Sequence, residues 1–173
     1  MYISTALFAS QELYNLIPLN SNFVVAIGKS LSSFSENQTI SYTAIMFSHV
    51  TFGSNDLEKA RKFYDAVLGV IGVAPAQDDS DGNGHKRLFY AKGDFFLLVT
   101  QPINDQAATP GNGYTIGFKC DSEEEVTKFH DVAVANGGTS IEDAPGYRPS
   151  GLFLSYVRDV DGNKLCALYQ PPK

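Results

Sequence analysis

The feature that most constrains this 173-residue chain is that it repeats itself. Shifted by 66 residues, Lys62-Phe-Tyr-Asp65 falls on Lys128-Phe-His-Asp131, Phe52 on Phe118 and Gly72 on Gly138. Shifted by 69, Gly93-Asp-Phe-Phe-Leu-Leu-Val-Thr-Gln-Pro102 falls on Gly162-Asn-Lys-Leu-Cys-Ala-Leu-Tyr-Gln-Pro171. Two echoes in the same order at nearly the same offset mean one supersecondary unit used twice. The drift from 66 to 69 places a gain of three residues between the matched segments of the second half.

The unit reads as βαβββ. Phe47 to Gly53 alternates and is rich in strand formers. Ser54-Asn-Asp56 offers N-caps, and Leu57, Ala60, Phe63, Tyr64, Val67 and Leu68 make an apolar helical stripe that Gly69 ends. Three strands follow, at Val70 to Ala74, Arg87 to Ala91 and Phe95 to Gln101. In the second half, Tyr114 to Lys119 is a strand, and Asp121-Ser-Glu-Glu-Glu125 places acidic groups at the positive end of a helix. Strands at Thr139 to Glu142, Leu152 to Val157 and Lys164 to Tyr169 complete the unit. A lone βαβββ unit leaves apolar surface bare, so the two should pack as one α+β domain. Its first module spans 46–102, its linker 103–113 and its second module 114–170.

Residues 1–45 differ in composition. They hold eight serines and only Glu12, Lys29 and Glu36 as charges. No basic residue precedes Leu7-Phe-Ala9, so the leader does not read as a secretory signal, and it has no arginine to suit a mitochondrial one. It is either an extension upstream of a start at Met46 or an arm that packs on the domain or a partner. The whole chain has 13 basic and 19 acidic side chains, a net charge of -6. Such a surface disfavours nucleic acid and anionic membrane as partners. Cys120 and Cys166 suit neither a disulfide framework nor a zinc motif, and the expected compartment is the reducing cytoplasm.

Tandem βαβββ units resemble the vicinal oxygen chelate superfamily of glyoxalase I, extradiol dioxygenases and fosfomycin and bleomycin resistance proteins. His49-Val-Thr-Phe-Gly-Ser-Asn-Asp-Leu-Glu-Lys-Ala-Arg-Lys-Phe-Tyr-Asp65 resembles its opening strand and helix. Arg158-Asp-Val-Asp-Gly-Asn-Lys164 resembles its closing hairpin. The resemblance covers about residues 46 to 170. It implies curved mixed sheets around a central cleft with helices outside, a small-molecule ligand and a homodimer.

It also implies four metal-ligand positions on equivalent strands. The opening-strand histidine matches His49, and the 66-residue offset carries it to Thr115. The closing-strand glutamate position matches Cys166, and the 69-residue offset carries it back to Leu97. Leucine cannot ligate and threonine is a weak neutral ligand, so a divalent metal is poorly served and no cofactor is expected. Strand parity adds Thr51 and Phe95 to the cleft, and Arg148 on the loop after Pro145-Gly146 is a candidate clamp for a substrate carboxylate. His49 is the candidate catalytic residue. Cys166 facing His49 would be a thiolate pair, against the simpler reading of a buried apolar cysteine.

Asp79-Ser-Asp-Gly-Asn-Gly84 has half of a calcium loop, but Tyr90 stands where the bidentate glutamate belongs. It reads as a polar hairpin loop. Three functions remain open. One is a lyase or dioxygenase acting on a small oxygenated substrate. Another is a metal-free protein that sequesters a small molecule. The third is an interaction or stress protein with a vestigial cleft.

Overall fold

Two four-stranded mixed sheets and two helices make up the fold, in a computed structural model that describes residues 47–172. The readings made for the leader fall outside those residues. Strand β1 (His49–Gly53) leads into α1 (Leu57–Val70), followed by β2 (Gln77–Ser80), β3 (Lys86–Lys92) and β4 (Phe95–Thr100). The second module runs β5 (Ile116–Lys119), α2 (Glu123–Ala135), β6 (Thr139–Tyr147), β7 (Phe153–Arg158) and β8 (Lys164–Tyr169). The sheet orders are β1-β4-β3-β2 and β5-β8-β7-β6, with the first strand of each parallel to the last. The architecture is therefore α+β with two βαβββ modules.

The local sequence explains most boundaries. Asp56 caps α1 by accepting from the Lys59 amide at 3.1 Å, and Ser122 caps α2 by accepting from the Glu125 amide at 3.2 Å. Glu123, Glu124 and Glu125 occupy the first turn of α2, where the helix dipole favours them. Two strand readings need correction. Val70 ends α1 instead of opening a strand, and β2 lies at Gln77–Ser80. Val70 continues the apolar stripe of α1 toward the core, and tertiary packing overrides its strand preference. The strand β6 extends to Tyr147 through a bulge between Ile141 and Gly146, with Glu142 at φ 60.

One core joins the modules. Phe52, Phe63, Tyr64, Leu88, Leu97 and Val99 of the first module share it with Val126, Phe129, Val157, Leu165 and Ala167 of the second. Helices α1 and α2 touch each other, α1 against β3 and β4, α2 against β6, β7 and β8. The two sheets meet through side chains alone: among the described residues no strand backbone of one comes within 8 Å, Cα to Cα, of a strand of the other. Each sheet turns one face to this shared core, and its other face points away. Close approach at the seam requires Gly138, where a Cβ would sit 2.8 Å from the Ala133 carbonyl oxygen and 2.9 Å from Phe63. No helix among the described residues is long and apolar enough to cross a membrane.

A buried polar bond crosses the same seam. The Tyr64 hydroxyl donates to Asp159 Oδ2 at 2.5 Å, and Tyr64 is fully buried. Burial, then the Asp159 charge, pushes the Tyr64 phenol well above its ordinary pKa, so it remains a donor throughout the working pH range. Tyr64→Phe keeps the ring and removes the bond. It is expected to cost about 1.5–3 kcal/mol, the range for a bond to a charged group, measured as a lower urea midpoint at unchanged slope.

Candidate functional site

Strand register decides which candidate residues share a surface. In the first sheet Val50 pairs with Leu97 and Phe52 with Val99, and all four face the core. His49 pairs with Phe96 and Thr51 with Leu98, so these four lie on the outer face. In the second sheet Ile116 pairs with Leu165 and Phe118 with Ala167 toward the core, while Gly117 pairs with Cys166 on the outer face. Tyr156 is the neighbour of Cys166 on β7.

Leu97 therefore does not stand with His49. It is 3% exposed in the core, and Leu98 takes the outer position. The offset between β4 and β8 at equal register is 68, relating Leu97 to Leu165 and Leu98 to Cys166. A strand has a side-chain period of two, so one residue of slip turns every side chain to the opposite face. Phe95 shares the parity of Leu97. Both line a groove of about 500 Å³ on the core side, with Leu68, Ile71, Tyr90 and Phe118. Thr115 lies just before β5, exposed, with the outward parity of Gly117. The corrected set of equivalent positions is His49, Leu98, Thr115 and Cys166.

The outer face of the first sheet carries upright rings. His49 and Phe96 stack with centroids 4.8 Å apart and planes within 2°. That distance equals the spacing of neighbouring strands, so the two rings stand side by side with their edges outward. Phe89 continues the row, 5.3 Å from Phe96. His49 Nδ1 is 2.9 Å from the Ser48 hydroxyl, and Nε2 has no hydrogen-bond partner among the described residues. That nitrogen can donate to or accept from a ligand, according to tautomer.

The outer face of the second sheet is different. Cys166 is 5% exposed, and burial holds its thiol above the ordinary pKa. Around it stand Tyr156, whose phenol is raised by burial and then by Cys166, and Lys164, whose Nζ lies 4.6 Å from the centre of the Tyr156 ring. Lys164 also pairs with Glu142 of the β6 bulge. Arg148 is not turned out as a clamp. Its Nη1 donates to the Gly146 carbonyl at 2.9 Å, and its Nη2 to those of Asp143 and Ala144 at 3.1 Å, which holds the bulge in shape. Sequence reasoning missed Phe96, Tyr156, Lys164 and Glu142. Phe-Leu-Ser-Tyr-Val-Arg in β7 does not alternate, so the face of Tyr156 is fixed only by its pairing with Cys166.

The donor set does not fit a metal of the kind the resemblance implies. Among the described residues no three His, Cys, Asp or Glu side chains converge to hold one. Of the four equivalent positions only His49 and Cys166 bear strong donors. They sit on different sheets, with outer faces that point away from the shared core. The thiolate pair does not form within the chain: the Cys166 thiol bonds to the Ala167 carbonyl oxygen at 3.5 Å.

The register makes a sharp distinction between neighbours. Leu97→Glu buries a carboxylate without a partner in the core and is expected to cost about 3–5 kcal/mol or abolish folding. Leu98→Glu places the same group on the half-buried outer face and is expected to cost no more than about 1–2 kcal/mol. Urea unfolding of the two variants checks this, and equal losses would contradict the assigned faces.

The comparisons with known proteins bear on the family and the fold. The description Glyoxalase/Bleomycin resistance protein/Dioxygenase superfamily matches residues 46–167. A glyoxalase/bleomycin resistance protein from Albidiferax ferrireducens T118 is 48% identical, with a TM-score of 0.69 over 73% of this chain and 100% of its own. A glyoxalase-related enzyme from Fulvimarina pelagi is 24% identical, with a TM-score of 0.58 over 73% of this chain and 88% of its own. A V278E glyoxalase I mutant from Zea mays is 20% identical, with a TM-score of 0.57 over 70% of this chain and 44% of its own. The last two share the fold. No curated protein matches. On the profile match and the 48% identity over a relative's full length, the chain belongs to the Glyoxalase/Bleomycin resistance protein/Dioxygenase superfamily.

Proposed function

We propose that this chain is a metal-free binding protein for a small, partly apolar molecule, held on the outer sheet faces of a homodimer. The observation that carries the reading is the donor-poor set His49, Leu98, Thr115 and Cys166. Two of the four positions have been given over to an apolar side chain and a neutral hydroxyl. That chemistry supports burial and a few oriented hydrogen bonds in place of chelation. The dimer is supported by the direction of the outer faces. Within one chain they point away from the common core, so a closed cleft needs a second copy to bring one chain's first sheet opposite the other's second. The edge strands β1 and β5 are short and, among the described residues, each has one strand neighbour only, which leaves both open to such a meeting.

In this arrangement the ring edges of His49, Phe96 and Phe89 form one wall, with Thr51 as a further polar point. Tyr156, Lys164 and Cys166 form the other, with Thr115 beside them. Burying a ligand of ~150 Å² at ~25 cal/mol/Å² contributes about 4 kcal/mol before entropy costs. Two or three hydrogen bonds add around 1 kcal/mol each. Affinity is then micromolar at best.

A second reading rests on His49 Nε2, which is open to a ligand while Nδ1 is tied to Ser48. It makes His49 the acid–base group of a lyase-type reaction within the same cleft. The two unpaired cysteines fit a reducing compartment, and we place the protein in the cytoplasm.

Elemental analysis of protein purified without added metal tests the first reading. Well below one equivalent of Mn, Fe, Co, Ni or Zn is expected. One equivalent that vanishes in His49→Ala would overturn it. Light scattering is expected to give twice the 18.8 kDa chain mass. A fragment screen by NMR is expected to shift His49 and Thr51 together with Tyr156.

A further inference from the structure

We infer that His85 is a pH-operated clasp that holds residues 103–107 of the inter-module linker over a polar pocket. The pocket lies apart from the outer sheet faces. It measures about 430 Å³ and is lined by Ser54, Asn55, Asn83, His85, Gln101 and Asp105, among others. Its roof is the linker, and the linker is fastened at two places. At one, the Asn55 side chain makes a pair of bonds with the main chain of Ala108: Nδ2 donates to the carbonyl at 2.9 Å, and Oδ1 accepts from the amide at 2.8 Å. At the other, His85 reaches Asp105.

The geometry around His85 is that of an imidazolium between two carboxylates. Nδ1 is 2.6 Å from Asp81 Oδ2, and Nε2 is 3.1 Å from Asp105 Oδ1. Asp81, from the β2–β3 loop, and Asp105, from the linker, are the charged groups that face the ring. The pocket residues from the β1–α1 turn and the end of β4 are Ser54, Asn55 and Gln101, all neutral. Both ring nitrogens can donate only in the charged form. A neutral ring has one N–H. The shorter contact to Asp81 keeps it, because that carboxylate is itself fixed by the Asn83 and His85 amides at 2.7 and 3.1 Å. Nε2 then turns a lone pair toward the Asp105 carboxylate, and attraction becomes repulsion.

Asp105 is poised to leave. It is exposed, and its φ of 58 is a left-handed conformation uncommon outside glycine, although aspartate is among the residues that tolerate it best. Loss of the His85 contact removes a restraint on that conformation and frees the five residues before the Asn55 anchor. The hydrogen bonds to Asp81 and then Asp105 raise the His85 pKa above the ordinary histidine value. The sign follows: the clasp is fully closed below the unfolded-state pKa and opens as pH rises through the higher folded-state one.

Amide hydrogen exchange, expressed as protection over the intrinsic rate, tests this at about pH 5.5 and about pH 8.5. The Asp105 amide, bonded to the Pro102 carbonyl at 3.1 Å, and the Gln106 amide, bonded to Asn104 Oδ1 at 3.2 Å, report the segment. Their protection is expected to fall about tenfold at the higher pH, while the Ala108 amide, held by Asn55, is unchanged. His85→Gln should abolish the pH dependence. Asp105→Asn should lower the His85 pKa, read from its ring proton shifts. Equal protection of Asp105 and Gln106 at both pH values in the native chain would overturn the proposal, as would a fall of the same size in His85→Gln.

Discussion

Everything at the module seam depends on one buried carboxylate. Asp159 begins the β7–β8 turn at 5% exposure and accepts four hydrogen bonds. The Asn163 amide reaches its Oδ1 at 2.7 Å and the Asp161 amide the same oxygen at 3.0 Å. Asn163 Nδ2 and the Tyr64 hydroxyl occupy Oδ2. Asn163 passes the chain on by accepting from the Tyr114 hydroxyl. A carboxylate this deep would be costly alone; four donors make it a fixed point. It sets the shape of the turn and ties α1 of the first module and the entry to β5 of the second to that turn. The neighbouring Asp161 adds a bond to the Asn55 amide at 2.9 Å, so the start of α1 is held as well. The two helices can then share one core, and both sheets must turn their other faces outward.

That turn is also where the sequence was hardest to read. The strands β3 and β4 are joined by the two residues Gly93-Asp94, and β7 and β8 by the five residues 159–163. Matching Gly93 to Gly162 and Gln101-Pro102 to Gln170-Pro171 aligns two turns of unequal length and carries the error along the whole strand. Helices and most strands were legible because each carries its own period: the stripe of α1, the acidic first turn of α2, the apolar run of β4. Face assignment in β4 was not, because Phe-Phe-Leu-Leu-Val has no polar residue to mark the outside. Only its partners settle it. The alternation of β1, with Val50 and Phe52 inward and His49 and Thr51 outward, fixes β4 through parallel pairing.

The candidate site inherits the same logic. The alternation of β1 puts His49 and Thr51 on one face, whereas the nearly continuous apolar run of β8 gives Cys166 no such mark, and its face follows from its pairing with Gly117 and Tyr156. Phe95 and Leu97 were assigned to the wrong face by the slip described above. Arg148 reads from sequence as a loop residue after Pro145-Gly146, but those two residues belong to the bulged strand β6, whose exposed carbonyls are invisible in sequence. A bulge with Glu142 in the left-handed region leaves main-chain acceptors unpaired, and a guanidinium with five donors satisfies three of them. Its charge is then committed to the scaffold. Lys164, four residues before Leu168 on the same face, is paired with Glu142 and serves the same bulge from the other side.

The two outer faces, so built, are chemically unlike although the modules are repeats. The face with His49 presents ring edges, whose hydrogens carry partial positive charge, beside Thr51 and an Arg87–Asp79 ion pair toward the far edge of the sheet. The face with Cys166 presents a phenol, an ion pair and a thiol held in its neutral form by burial. Duplication supplies the same backbone twice; substitution on one parity of each strand then makes two different walls without disturbing the core parity. This separation is what the period of two permits. The core residues Val50, Phe52, Leu97 and Val99 match Ile116, Phe118, Leu165 and Ala167 in apolar character. At the corresponding outer positions Thr51 stands against Gly117, and Leu98 against Cys166. The halves agree in apolar character on the parity where packing demands it, and they have diverged on the parity that packing leaves free.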